Sequence, residues 1–290
     1  MKRSTWPIVL ALFVLPAVAG CAEAWKAKQI TAAGQLAVPE CTLVDTQTGK
    51  VYVSNIDTET GAYWSDDGKG SLALLAPGGT PIDIRWRVST QEVPIHSPKG
   101  MTILERVLYV ADNSRVLGFP LGDAGDAKLL QGPHGEHLND LATDGEAVYV
   151  SDTAAGVVYR MADDGVTRIK APAGVNGITF FKEKMYAVSW DLHEVYRLDP
   201  TGEGEPVPLG LARHFETPDG IEVLEDGTIL VSDMQAGRVA AVAPDREHVY
   251  TLLELPTPAD IGLDRERRLL YVPQFERDCV TVCRLIPLEP

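Results

Sequence analysis

Short apolar runs broken by tight turns dominate this chain, and no long helical stripe competes with them. In "IEVLEDGTILVSD" (221–233), the runs IEVL and TILV flank Asp226-Gly227. Asp and Gly tolerate the positive φ of a tight hairpin turn, so this stretch predicts two antiparallel strands. The same cadence recurs along the chain. It appears as "PECTLVDTQTGKVYVSN" from Pro39, "PKGMTILERVLYVADNSRVLGF" from Pro98 and "LNDLATDGEAVYVSDTAAGVVYRM" from Leu138. It returns as "VNGITFFKEKMYAVSWDLHEVYRL" from Val175, "PDGIEVLEDGTILVSDMQAGRVAAV" from Pro218 and "PADIGLDRERRLLYVPQFERDCVTVCRL" from Pro258. Each unit reads as a strand, a turn, a strand ending in a pattern like YVSD, a second turn and a third strand. Weaker fourth strands follow, such as "AKLLQG" (127–132) and "VTRIKAP" (166–172).

A repeat of about 40 residues holding four strands is a propeller blade. Six copies predict an all-β, six-bladed β-propeller, whereas a β-sandwich would not need six copies of one pattern. The last unit ends near Leu288, with little room for a fourth strand. The segment "WKAKQITAAGQLAV" (25–38) can supply it, closing the ring and removing an exposed sheet edge. Blade one carries extra length in "IDTETGAYWSDDGKG" (56–70), between its second and third strands. This is either a solvated loop or a lid over a site. Its "DDGKG" hints at calcium but lacks a full set of spaced ligands.

Composition narrows the setting. The 290-residue chain has a formal charge of −15. That excludes nucleic-acid binding, which needs clustered Lys and Arg. Lys2 and Arg3 precede the apolar "WPIVLALFVLPAVAG", a signal-peptide pattern ending in Val18-Ala19-Gly20-Cys21. Small residues ahead of Cys21 resemble the bacterial lipoprotein box, which implies a lipidated Cys21. With Ala22 following, the expected destination is the outer membrane, facing the periplasm. The expected division is leader 1–20, anchor, tether and closing strand 21–38, and propeller 39–290. The protein is expected to be monomeric and to meet the membrane only through its lipid. Cys279 and Cys283 are four apart in a predicted strand, about 13 Å, too far for a disulfide. They read as small buried apolar residues, and a bond from Cys41 to either stays open.

The repeat separates scaffold from chemistry. Asp112, Asp152 and Asp233 end equivalent strands, and Asp191 stands at nearly the same place. A polar residue kept in most units is expected to start a turn through side-chain to backbone bonds. The position heading each inner strand varies instead: Glu40, Lys99, Asn139, Asn176, Asp219 and Ala259. Inner strands converge on the axis, so these residues are expected to ring the mouth of the central channel. Gathering them there costs stability unless they pair, bind a cation or bind substrate. Pairing among themselves, Lys99 with Glu40 or Asp219, is the alternative.

With "VNGITF" (175–180), "TPDGIEV" (217–223) and "HLNDLATDG" (137–145) in place, the chain resembles a known family from about Pro39 to Leu285. This is the senescence-marker-protein, gluconolactonase and luciferin-regenerating-enzyme group. The resemblance implies a divalent metal on the axis, Ca²⁺ above all, held by Glu40, Asn176 and Asp219. It implies that Asn139 contacts substrate or metal and that Asp219 is the general base. Two carboxylates and an amide oxygen suit a hard cation, which can polarise a lactone or ester carbonyl. Two features depart from the family pattern: the "VPECTLVD" context of Glu40, and Lys99, a cation beside the metal position. Lys99 can replace the metal, bind an anionic substrate or point away. The "VYVSN", "NDLA" and "ADIG" elements resemble a lipid-anchored branch of the group.

His96, His134 and His137 precede the inner strands of blades two and three. They are expected at the same mouth, where the cluster can bind a transition metal or serve as acid and base, and His137 can contact substrate. No Gly-x-Ser-x-Gly element supports a serine hydrolase. The resulting expectation is a metal-dependent lactone or ester hydrolase acting on a small molecule. The alternative is a non-catalytic, lipid-anchored module that binds a ligand or a protein partner.

Overall fold

A computed structural model describes residues 24–58, 61–122, 128–130 and 132–288. The leader and Cys21 lie outside the described residues. Twenty-four strands form six four-stranded antiparallel sheets arranged as the blades of a propeller. Blade one comprises Pro39–Val44, Val51–Asn55, Ser71–Leu75 and Pro81–Val88, counted from the axis outward. Blade six comprises Gly262–Asp264, Leu269–Gln274 and Cys279–Pro287, and its outer strand is the N-terminal Trp25–Ala33. The ring is therefore closed as expected, with Trp25 opposite Pro287 and Ala33 opposite Val280. No helix among the described residues is long and apolar enough to cross a membrane.

Second strands such as Val51–Asn55, Val148–Asp152 and Ile229–Asp233 are buried at every position. Each blade has a neighbour on both faces, so a second strand has no solvent side, and its apolar run is continuous. Six apolar clusters fill the blade interfaces. One packs Leu230, Val239 and Leu252 of blade five against Leu270 and Val272 of blade six. Burying each such side chain stabilises the fold by about 1.5–3 kcal/mol. Of the fourth strands named from the sequence, that of blade two shrinks to Lys128–Leu129 while Gly165–Lys170 of blade three runs six residues, and blade four ends in the short Val207–Pro208.

The hairpin at 221–233 forms, with a loop one residue longer than the dipeptide suggested. Gly227 N donates to Leu224 O at 2.9 Å, and Leu224 N donates to Thr228 O at 2.9 Å. Of the pair, only Gly227 has positive φ, at 93°. A turn closed by one left-handed glycine fits the twist of the flanking strands. Asp226 also pins the closing strand, because its Oδ2 accepts the Trp25 indole N–H at 2.7 Å.

The strand-end aspartates hold the incoming chain of blades two, three and five. Asp112 Oδ1 accepts from His96 N and Ser97 N, both at 2.8 Å. Asp152 accepts from Glu136 N and His137 N, and Asp233 from Glu216 N and Thr217 N. Asp191 is not their counterpart. In blade four the residue paired with the head of the inner strand is Ser189, opposite Val175, and its hydroxyl donates to Ala173 O at 2.7 Å. Asp191 lies two residues later and is exposed.

The three cysteines among the described residues are unbonded. Cys41 lies on the axis, Cys283 is buried between blades five and six, and Cys279 is half-buried against Gln274. Cys41 is thus remote from the strand that carries the other two.

Candidate functional site

Every regular inner strand breaks register immediately after its first residue. The breaks fall between Pro39 and Thr42, Pro98 and Met101, Leu138 and Leu141, Val175 and Ile178, and Pro218 and Ile221. Such bulges bend a strand and re-aim its side chains. The backbone N–H groups freed by the bulge are taken up by serines. Ser54, Ser151 and Ser232 hydroxyls accept from Cys41 N, Asp140 N and Gly220 N at 2.7–2.9 Å. That is a physical reason for the Ser in the recurring YVS pattern.

The two residues inside each bulge form two stacked layers. The first layer brings together Glu40, Lys99, Asn139, Asn176 and Asp219 on one cavity of about 750 Å³. Ala259, the sixth member, is buried and adds no chemistry. Asn176 Nδ2 donates to Asp219 Oδ1 at 2.7 Å, and Asn139 Nδ2 donates to Thr153 Oγ1 at 3.1 Å. Glu40 Oε2 is buried without a hydrogen-bond partner. Burial pushes Asp219 up to about 7, against the Asn176 bond, which favours the charged form. Burial, then the charge of Asp219, raises Glu40 well above the carboxylate range, with Lys99 opposing.

Lys99 turns toward the blade-one insertion. Its Nζ donates to Tyr63 O at 2.8 Å and Ser97 O at 3.1 Å, and it sits 3.7 Å from the Trp64 ring centroid. Burial lowers its pKa to about 8, with the charges of Glu40 and Asp112 opposing. Trp64 also stacks on His137, with centroids 4.1 Å apart and planes 14° apart. Tyr63 meets Phe275 edge to face at 4.8 Å. The insertion thus roofs part of the cavity with two aromatic rings. It is tied down by Asn113 Nδ2, which donates to Ser65 O and Asp66 Oδ1, and by His96 Nδ1, which accepts from Gly68 N. Asp67 accepts from Thr58 Oγ1 and Lys69 N. The "DDGKG" carboxylates are thereby used in holding the loop. Of the three histidines, His137 faces the cavity, His96 anchors the loop and His134 is exposed.

The second layer was not anticipated. Successive bulges place Cys41, Gly100, Asp140, Gly177, Gly220 and Asp260 one residue deeper. Ligating atoms of Cys41, Asp140 and Asp260 lie within 4.8 Å of one another. Asp140 accepts from Ile178 N at 2.7 Å and Leu141 N at 2.6 Å, and it shares a hydrogen bond with Asp260. Burial raises both carboxyls well above the usual range, helped by the charge of Asp260 on Asp140 and of Glu40 on Asp260. A shared bond between two carboxyls requires one to keep its proton. The glycines make room: a Cβ on Gly220 would come 2.7 Å from Asp260 Cα, and one on Gly100 would come 2.8 Å from Asn139 O. The signal was present in "NDLA" and "ADIG", where Asp replaces the Gly of "KGM", "NGI" and "DGI". Cys41, Asp140 and Asp260 also line a separate cavity of about 170 Å³.

No protein-family model and no curated protein sequence matches the chain. Solved structures do match in shape. A luciferin-regenerating enzyme aligns with a TM-score of 0.63 at 15% identity, over 91% of this chain and 96% of that one. A gluconolactonase-like protein aligns at 0.62 and 19% identity, over 93% and 96%. Virginiamycin B lyase from Staphylococcus aureus, solved with quinupristin, aligns at 0.61 and 16%, over 90% and 100%. At these identities the likeness shows the six-bladed fold and leaves function to the site.

Proposed function

We propose that the chain is a hydrolase of small lactones or esters, working at the first axial layer with a bound divalent cation. The observation that carries this reading is the floor of the cavity. Glu40 leaves a buried carboxylate oxygen without a partner, beside a second buried carboxylate at Asp219. Burial raises both carboxyls, and the charge of Asp219 raises Glu40 further, so keeping both ionised carries a cost. A cation relieves it, and the donor set of two carboxylates and the Asn176 carbonyl suits Ca²⁺. Asn176 presents its N–H to Asp219, which leaves its carbonyl oxygen available for this role. The resemblance in fold to a gluconolactonase-like protein and a luciferin-regenerating enzyme supports this choice of chemistry.

A bound cation would supply Lewis-acid polarisation of the substrate carbonyl. Asp219 takes the proton from the attacking water, a role open to a carboxylate positioned at the cavity floor. Asn176 fixes the Asp219 carboxylate through Oδ1. Asn139 and His137 line the cavity where the substrate would lie. Lys99 acts from above by holding Tyr63 and Trp64 in place. In the same reading the enzyme is a monomer tethered to the outer membrane through Cys21. The test is a lactone and ester panel with wild type, Asp219→Asn and Glu40→Gln, with and without chelator. Hydrolysis lost in both variants and on chelation supports the proposal, and undiminished turnover in Asp219→Asn contradicts it.

One observation favours the binding-module alternative. The Asn176–Asp219 bond and the nearby Lys99 ammonium offset part of the floor charge without any metal.

A further inference from the structure

Given the hydrolase reading above, on which the substrate's reacting group rests, the walls of the cavity define the rest of the molecule. We infer that the site takes a neutral compound with a carbonyl head and a hydrophobic alkyl or aryl tail, and that polyhydroxylated sugar lactones are poor ligands. The buried polar groups of the axis lie on the floor. Above it, Tyr63 and Trp64 of the roofing loop, Trp190 of blade four, Met234 of blade five and Phe275 of blade six surround the space. These side chains come from opposite sides of the axis, so a ligand reaching the floor is enclosed by apolar surface around most of its length.

Some of the polar groups that remain are already engaged. Thr153 Oγ1 donates to Val175 O and accepts from Asn139, and Thr257 Oγ1 accepts from Glu276 N. His137 is covered by the Trp64 ring. Gln235, Glu276 and the polar edges of His137 and the aromatic side chains are left to answer ring hydroxyls around a mainly apolar wall, and each unanswered hydroxyl of a polyol costs binding. A tail of methylenes or an aromatic ring meets no such cost and gains from apolar burial and ring contacts. Charge points the same way. The floor and rim bear Glu40, Asp219 and Glu276, while the Lys99 ammonium is bonded to two backbone carbonyls and covered by Trp64. An anionic substrate therefore finds no free cationic side chain among the described residues of these walls.

Three lactones of graded character test this: δ-gluconolactone, γ-butyrolactone and γ-undecalactone. Binding of 2-undecanone, a ketone with no leaving group, is followed by tryptophan fluorescence. The expected order in kcat/KM places γ-undecalactone at least ~100-fold above γ-butyrolactone, with gluconolactone lowest. Trp190→Ala and Phe275→Ala should reduce that ratio to within about 10-fold, and Trp190→Phe, which keeps a ring, should restore much of it. 2-Undecanone should bind wild type and bind Trp190→Ala and Phe275→Ala more weakly, because its tail meets the aromatic walls. If no lactone is hydrolysed but 2-undecanone binds and the wall variants weaken it, the hydrolase reading fails and the hydrophobic ligand class stands. Gluconolactone as the preferred substrate, or no 2-undecanone binding up to its solubility limit, overturns the inference.

Discussion

Asn176 gives its side-chain N–H to Asp219 Oδ1 across the gap between blades four and five, at 2.7 Å. The bond joins the two positions that the inner-strand bulges aim at the axis, and it favours the charged form of a carboxyl that burial pushes up to about 7. Asn176→Ala removes the orienting donor and, in the proposed site, a cation ligand. Divalent-cation affinity should fall by tenfold to a hundredfold or more, read by chelator competition. Unchanged affinity would mean that Asn176 is only a strand cap.

Lys99 fastens the roof. Lys99→Met keeps most of the volume but removes the charge held by Tyr63 O, Ser97 O and the Trp64 ring. The Tyr63 and Ser97 carbonyls lose their donor, the second of them buried, costing about 1–3 kcal/mol, measurable by denaturant unfolding. Trp64 should become more mobile, shifting tryptophan emission to the red. Cation affinity should rise, because a like charge near the floor is gone. An unchanged emission spectrum would separate Lys99 from the roof.

The buried carboxyls set the pH dependence. Asp140, Asp260, Glu40 and Asp219 all titrate higher in the folded chain than in the unfolded one, so folding takes up protons. Their contribution to stability is complete below the unfolded value of about 4 and is lost as pH rises through the folded values, near 7 for Asp219. The Tm of metal-free protein should therefore fall as pH rises from 4 through neutrality. Asp260→Asn can still bond to Asp140 without sharing a proton, so it should flatten that slope. Asp260→Ala should unfold more easily at every pH. A metal-free Tm that climbs through this range would mean that other groups control the pH response.

The glycines of the second layer are required for their lack of a side chain. A Cβ on Gly220 would press on Asp260 and Ile261 backbone at 2.7 Å, and one on Gly177 would meet Gly220 Cα at 2.9 Å. Backbone cannot swing aside as a flexible side chain would. Gly220→Ala should cost roughly 2–4 kcal/mol in thermal unfolding. Gly145→Ala is a poor comparison because Gly145 has positive φ, whereas Gly34→Ala, with open space around it, should cost far less.

The ring, its closing strand and the first axial layer were legible because they rest on repetition. Glu40, Lys99, Asn139, Asn176 and Asp219 share one alignment column, and a column fixes which residue heads each inner strand. The second layer escaped because alignment does not show that two successive residues both turn to the axis. That follows from the bulges and from Ser54, Ser151 and Ser232 stabilising them. Asp191 misled because spacing in sequence placed it near the strand end, whereas the pairing of Val175 with Ser189 decides the position. The inward turn of Tyr63 and Trp64 depends on Lys99, Asn113 and His96, contacts between distant segments that no local pattern announces.

The chemistry proposed for the axis depends on Glu40, Asn176 and Asp219 holding a cation. Elemental analysis of the soluble 22–290 chain, beside the same chain with Asp219→Ala, tests this most directly. One calcium or other divalent ion per chain is expected in the parent, with its loss in the variant. A metal-free parent, unable to take up calcium on addition and matched by the variant, would contradict the cation site and leave a propeller whose axis binds ligands without a metal.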